Sequence, residues 1–288
     1  MATIPNPLRS GDYTLYGGTY SGDVGSISPN PPPVLTLKHN AVANITVMGL
    51  GDPIPETGYT HTAIFDVFGR DTLNLTLGGG RLSPYGPGVA TVNLEPGARL
   101  TGNVVTTLDG FLTVNGDHGA RLLNYSGTLN GGSVTIHTAL DGHGSFTLGS
   151  GSPSSGASLE LGGRVSGGET VTVTAGDLLL DQPMKFRGAI DWDPSGADPL
   201  TTATLSGVKA DSYAINGGKL HLFVGNHDIL DIRLTQASGT PLYVLENTQG
   251  VSLSTIPADL LHDGSVALPL HMGRAAWHES HPLVFGHG

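Results

Sequence analysis

The sequence predicts an all-β solenoid, best fitted by a right-handed parallel β-helix with room for an antiparallel finish near its C-terminal end. Three observations carry this. Apolar residues fall in short alternating runs cut apart by Gly or Asn, too brief for helices and unable to bury a face alone. A segment also recurs: Thr91-Val-Asn-Leu-Glu-Pro-Gly-Ala-Arg-Leu returns as Thr113-Val-Asn-Gly-Asp-His-Gly-Ala-Arg-Leu. Periods in the low twenties, as from Thr91 to Thr113, match one coil of a β-helix, whose units are stable when stacked on similar neighbours. Finally, 288 residues with 44 Gly and 19 Pro, but only 13% charged, describe a surface built from Thr, Ser and Asn. That is well below the charge share of an ordinary soluble domain.

Residues 1–33 carry Tyr13, Tyr16 and Tyr20 among glycines, then Pro29, Pro31, Pro32 and Pro33. They read as an N-terminal cap, or as an arm held off the body by a stiff extended connector. Residues 34–190 read as solenoid coils. Strands are expected at Val34–Leu37, Ala43–Met48, Ala63–Val67 and Thr72–Leu77, with a bulging loop over Gly49–His61. Leu159–Leu161, Thr170–Thr174 and Leu178–Leu180 follow in the same rhythm. If Gly97-Ala-Arg-Leu and Gly119-Ala-Arg-Leu are stacked equivalents, Leu100 and Leu122 both point inward. Asn115-Gly, Asn130-Gly and Asn216-Gly mark turns needing positive φ, which suit hairpins and coil corners alike. Residues 191–255 continue the β region with longer strands, and 256–288 form a His-rich tail that opens on a short helical turn.

Composition narrows function. The net charge is −11 and no Lys/Arg run exists, so nucleic acid and anionic lipid are not expected partners. No window reaches the length of a membrane-spanning helix. The absence of Cys rules out disulfides, thiolate metal sites and cysteine nucleophiles. Residues 1–30 show neither a basic nor an apolar leader region, so export would use a leader already removed or another route, or the protein stays inside. Gly78-Gly-Gly-Arg and Gly149-Ser-Gly-Ser are not phosphate loops, and no Gly-x-Ser-x-Gly occurs. Neither a catalytic residue nor a cofactor is expected.

The weak candidates are oxygen donors and imidazoles. Asp191, Asp193 and Asp198 surround Trp192, which suits a Ca²⁺ site beside a sugar-stacking ring; a solvated acidic loop is the plainer reading. Asp191 with Asp193 or Asp181 are the candidate carboxylate pairs for glycoside chemistry. His118 and His143 are spaced as if in matching coils, with His137 nearby. His262, His271, His278, His281 and His287 crowd the C-terminal stretch, where they would chelate metal or titrate near pH 6; a tail with no specific role is the plainer reading.

One stretch resembles a known group. Gly162-Gly-Arg-Val-Ser-Gly-Gly-Glu-Thr-Val-Thr-Val, then Leu178-Leu-Leu-Asp-Gln-Pro-Met-Lys-Phe-Arg-Gly-Ala-Ile, is similar to a segment of large α-proteobacterial surface proteins. Its pattern there is roughly G-x-V-x-x-G-x-T-V-x-V followed by L-x-L-D-x-P-x-x-F-x-G-x-I, within β-helical passengers of the autotransporter and haemagglutinin-like kind. The resemblance spans Leu159–Leu253. It implies an exported surface or matrix protein without enzyme activity. The ending Phe285-Gly-His-Gly departs from that group, which closes on a membrane barrel and a terminal aromatic residue.

The expectation is therefore a secreted or surface-bound structural or adhesive protein of bacterial matrix or biofilm. It would self-assemble head to tail into filaments through Tyr13, Tyr16 and Tyr20 at one end and Leu283, Val284 and Phe285 at the other. The alternative is a β-helix that binds or cleaves polysaccharide. The expected partners are copies of itself and extracellular polysaccharide.

Overall fold

The computed structural model describes residues 8, 10–24, 26–27, 31–48, 61–78, 87–107, 110–149, 156–194, 201–261 and 264–271. The plan is already legible in Val34–Lys38. Its alternation buries Leu35 and Leu37 and leaves Thr36 at the surface. The strand pairs in parallel with Asp12–Tyr16 on one side and with His61–Val67 on the other. Repetition of that step through Gly88–Leu94, Gly110–Gly116, Ser133–Ile136, Ser158–Leu161, Asp177–Leu180 and Thr202–Ser206 builds sheet A. Sheet B is the matching stack that starts at Thr19–Asp23 and Val42–Met48 and runs to Ala189–Trp192. Each sheet holds 13 strands among the described residues. The fold is an all-β solenoid.

Register explains why such short strands hold. Leu35, Phe65, Val92, Val114, Ile136, Leu161, Leu180, Leu205 and Val251 pair in sequence across sheet A, and each is essentially inaccessible. Each such side chain contributes about 1.5–3 kcal/mol on burial. No single coil could enclose this row; the stack does. Outside, like stacks on like. Asn93 donates to Asp66 (3.0 Å) and Asn115 to Asn93 (3.2 Å), while Asn74 donates to Asn44 (2.8 Å) and Asn44 to Ser21 (3.2 Å). These ladders satisfy surface amides that would otherwise compete for the backbone.

A third side opens in mid-chain. Within Arg99–Thr106, Gly102 takes φ +132°, and a Cβ there would lie 2.1 Å from the Leu73 carbonyl oxygen. Only glycine permits that bend. In the next coil the strand splits at this point into Arg121–Leu123 and Ser126–Leu129. Ala139–Asp141 stacks on Arg121–Leu123, and single bridges continue the row through Val165 and Phe186. Leu100, Leu122, Leu140, Val165 and Phe186 all face inward.

The C-terminal part changes direction. Gly250–Ser254 lies antiparallel on Thr202–Ser206, and Tyr243–Glu246 antiparallel on Gly250–Ser254. His227–Gln236 still stacks parallel on Ala189–Trp192, then turns back through Lys219–Val224 to Ser212–Asn216. Val266–Ala267 pairs with Tyr243–Glu246 in sheet A, while Leu270 bridges to Tyr213 in sheet B. The chain thus crosses the end of both sheets.

The register of the first repeat is as expected: Thr113 pairs with Thr91, and Arg121 with Arg99. Several expectations are corrected. Residues 12–23 are not a detached arm. Asp12 pairs with Val34 and Thr19 with Val42, because Tyr13 and Leu15 extend the same inward row. The division at 190/191 falls inside the strand Ala189–Trp192. Asn115-Gly lies in a strand rather than a turn, where its amide joins the Asn93 ladder. Asn216-Gly does form a hairpin turn, with Gly217 and Gly218 at φ +54° and +73°. Residues 49–60 and 272–288 lie outside the described residues.

Candidate functional site

The ends of the solenoid come first, because there the sheets stop. Asp12–Tyr16 has no strand on its far side among the described residues. Tyr13 and Leu15 are therefore only half-buried over the end of the core, and Tyr16 is 60% exposed. Tyr20 sits deeper, inside sheet B. The backbone alternates: Gly17 N–H donates to the Lys38 carbonyl, and the Gly11 carbonyl accepts from Val34 N–H. Odd-numbered residues thus bond toward Val34–Lys38, and Thr14 turns its N–H and C=O outward. At the other end, Ile215, Val224, Tyr243, Leu260, Val266 and Leu270 are exposed, with Leu260, Val266 and Leu270 each above 60%. Leu283, Val284 and Phe285 lie outside the described residues.

The acidic candidates separate. Asp191 points outward from sheet B and Asp193 is exposed just beyond that strand; Asp198 lies outside the described residues. Trp192 between them is fully buried and donates its Nε1–H to the Pro241 carbonyl at 3.1 Å, so it is not available to stack on a sugar. Asp181 does not meet Asp191. It leaves sheet A and hydrogen-bonds Glu160, whose pKa is raised by burial first and then by that bond and the Asp181 charge. His137 and Thr135 act on Glu160 in the opposite direction. No group of three or more His, Asp or Glu is arranged to hold a metal among the described residues.

His118 and His143 do not stack. Arg121 pairs with Ala139, so the coil here is shorter than the step from His118 to His143. His118 occupies the corner before Arg121–Leu123, whereas the His143 N–H donates to Asn124 Oδ1 at another corner. Of the C-terminal histidines only His271 is described: it stacks on Phe223 at 4.0 Å and bonds Ser212 Oγ at 3.2 Å.

What sequence reading missed is a row of cations. Arg70 pairs with Arg99 and Arg99 with Arg121 on the third side. Leu140 N–H donates to the Arg164 carbonyl and Val165 N–H to the Lys185 carbonyl, which places Arg164 and Lys185 in the following coils. Arg70 and Arg99 have no ion-pair partner among the described residues. The available signal was the Arg in the repeated Gly-Ala-Arg-Leu.

The row begins at a pocket of about 330 Å³ lined by Lys38, His39, Asn40, Phe68, Gly69 and Arg70. His39 and Asn40 both sit at left-handed φ near +60°, an uncommon arrangement for consecutive non-glycine residues. Asp71 fixes them: its buried carboxylate accepts the Ala41 N–H at 2.8 Å and the Gly69 N–H at 3.1 Å, joining two successive corners.

Comparison with protein-family models, curated proteins and solved structures finds no match. No helix among the described residues is long and apolar enough to cross a membrane.

Proposed function

We propose that this protein is an exported, non-enzymatic structural or adhesive element of a bacterial surface or extracellular matrix, and that its copies associate head to tail. One observation carries the reading. Among the described residues, sheet A starts at a strand, Asp12–Tyr16, with an unused edge, and Tyr13 and Leu15 lie half-covered above the core. Stacked-coil proteins block such edges with polar or helical caps; an unblocked edge accepts another strand. The opposite end offers exposed apolar side chains, Leu260, Val266 and Leu270. Two unlike ends that fit each other propagate rather than close into a pair. The weakly charged Thr/Ser/Asn surface and the segment similar to bacterial passengers support export.

The test is sedimentation velocity over rising concentration. Thr14→Pro removes an outward N–H without touching the pairing to Val34–Lys38, a position where an edge strand tolerates proline. Wild type should show concentration-dependent association, and Thr14→Pro should remain monomeric with an unchanged circular dichroism spectrum. A wild type that stays monomeric throughout would contradict the proposal.

A further inference from the structure

We infer that the third side of the solenoid, with the pocket at its N-terminal end, binds an extended acidic polysaccharide whose uronate carboxylates pair with the cation row. This goes beyond the end-to-end association above and, apart from Tyr16 at the end of the first strand, uses different residues.

The first support is spacing. Adjacent parallel strands lie about 4.8 Å apart, so the five steps from the Arg70 coil to the Lys185 coil span roughly 24 Å. Cations occupy every coil of that span except Ala139's. A rise of about 4.8 Å suits one sugar ring per coil along an extended glycan. Guanidinium groups present paired N–H donors that match a carboxylate, and four of the five cations are Arg.

Preorganisation is the second. At the coil without a cation, Asp141 stands two positions beyond Ala139. It holds Arg121 Nη1 at 3.2 Å and Arg164 Nη2 at 2.9 Å to each oxygen. Its side chain is 14% exposed, whereas that of Arg164 is 58% exposed. The carboxylate thus sits beneath the guanidinium it orients, and Arg164 keeps donors for a ligand.

The third is an aromatic platform at one end. Lys38 Nζ lies 4.3 Å from the Phe68 ring centroid and 5.9 Å from that of Tyr16, while Tyr16 stacks on His39 at 5.6 Å. Tyr16 and Phe68 are 60% and 46% exposed. Exposed rings beside cations bind the apolar face of a sugar while its acid group is neutralised. The strained His39–Asn40 corner, pinned by Asp71, fixes this pocket in place before a ligand arrives.

Charge selects among polyanions. The whole chain carries −11, and nucleic-acid binding rests on neutralising closely spaced phosphates over a broad surface. A single file of cations, on five of the six coils, suits a polymer with one charge per sugar.

The experiment is calorimetric titration of the full chain with an oligogalacturonate long enough to span the row. A neutral glucan and a single-stranded oligonucleotide of similar length serve as comparisons. Wild type should bind the uronate, weaken as salt rises, and ignore the glucan. Arg70→Glu with Arg99→Glu should lower affinity by about tenfold or more. Ala139→Glu, which adds a charge in mid-row without removing a contact, should weaken it in the same direction, and Phe68→Ala should weaken it several-fold. All should keep the wild-type melting temperature within a few degrees. Thr14→Pro should bind as wild type does, which separates this site from end-to-end association. Absence of uronate binding, affinities unchanged in every row variant, or tighter binding of the oligonucleotide would each overturn the inference.

Discussion

Leu122→Ala tests the stacked register directly. Leu122 is fully inaccessible, lies between Leu100 and Leu140 on the third side, and faces neither sheet's surface. Its truncation removes three carbons from a row one side chain wide, where the backbone is held by parallel pairing on both sides. Collapse into the gap is therefore limited, and the cost belongs in the range of about 2–5 kcal/mol for buried Leu→Ala. With about 2–4 °C per kcal/mol for a chain of this size class, the midpoint should fall by roughly 4–20 °C. Leu123→Ala is the internal control, because Leu123 alternates to the outer side and is only half-buried. It should cost about 1 kcal/mol or less. The assay is thermal and urea unfolding followed by circular dichroism. Leu122→Asp, which buries an unpaired charge, should be worse than Leu122→Ala. A Leu122→Ala midpoint equal to wild type, or a larger loss from Leu123→Ala, would refute the register.

Two further outcomes follow from buried polar and glycine positions. Glu169 is almost wholly buried, neither oxygen makes a hydrogen bond of normal geometry, and burial raises its pKa despite the nearby Gly144 N–H and His143. Its stabilising contribution is then complete below the unfolded carboxyl value of about 4.3 and is lost as pH rises through the higher folded value. Glu169→Gln should remove that loss, so urea midpoints of wild type and variant should diverge from about pH 4 toward neutrality in favour of Gln; parallel curves would exclude it. Gly132→Ala places a Cβ 2.0 Å from the Gly110 carbonyl oxygen at φ +72°, whereas Gly97→Ala has a similar φ, +77°, and open space. The second should cost about 1–2 kcal/mol from conformation alone and the first clearly more, read from the same unfolding curves.

The architecture was legible because alternation and a repeated Gly-Ala-Arg-Leu report on local packing. Leu100 and Leu122 face inward as the repeat required. The functional surface was not legible in the same way. Arg70, Arg99 and Arg121 are unequally spaced along the chain and become neighbours only through register. Coil length itself varies: Val34 pairs with Ile64 across a long coil, and Ser158 with Asp177 across a much shorter one. A fixed offset therefore fails, as it did for His118 and His143. Trp192 misled for another reason. Its acidic neighbours alternate outward while the ring itself fills the core, which a cluster of Asp around Trp does not distinguish. The N-terminal tyrosines looked detachable because prolines follow them, yet Pro33 leads straight into a strand that pairs back onto Asp12–Tyr16.

The chain has no cysteine, so single thiols can be placed at will. Thr14 lies on the sheet A edge that no strand covers among the described residues, and Val266 is 65% exposed on the crossing segment at the far end. Thr14→Cys and Val266→Cys proteins, treated with a short bismaleimide separately and together, report which ends meet. The expected result is a cross-linked pair containing one of each, abundant in the mixture and scarce in either protein alone. Equal cross-linking of Thr14→Cys with itself, or none in the mixture at concentrations where wild type associates, would contradict head-to-tail assembly.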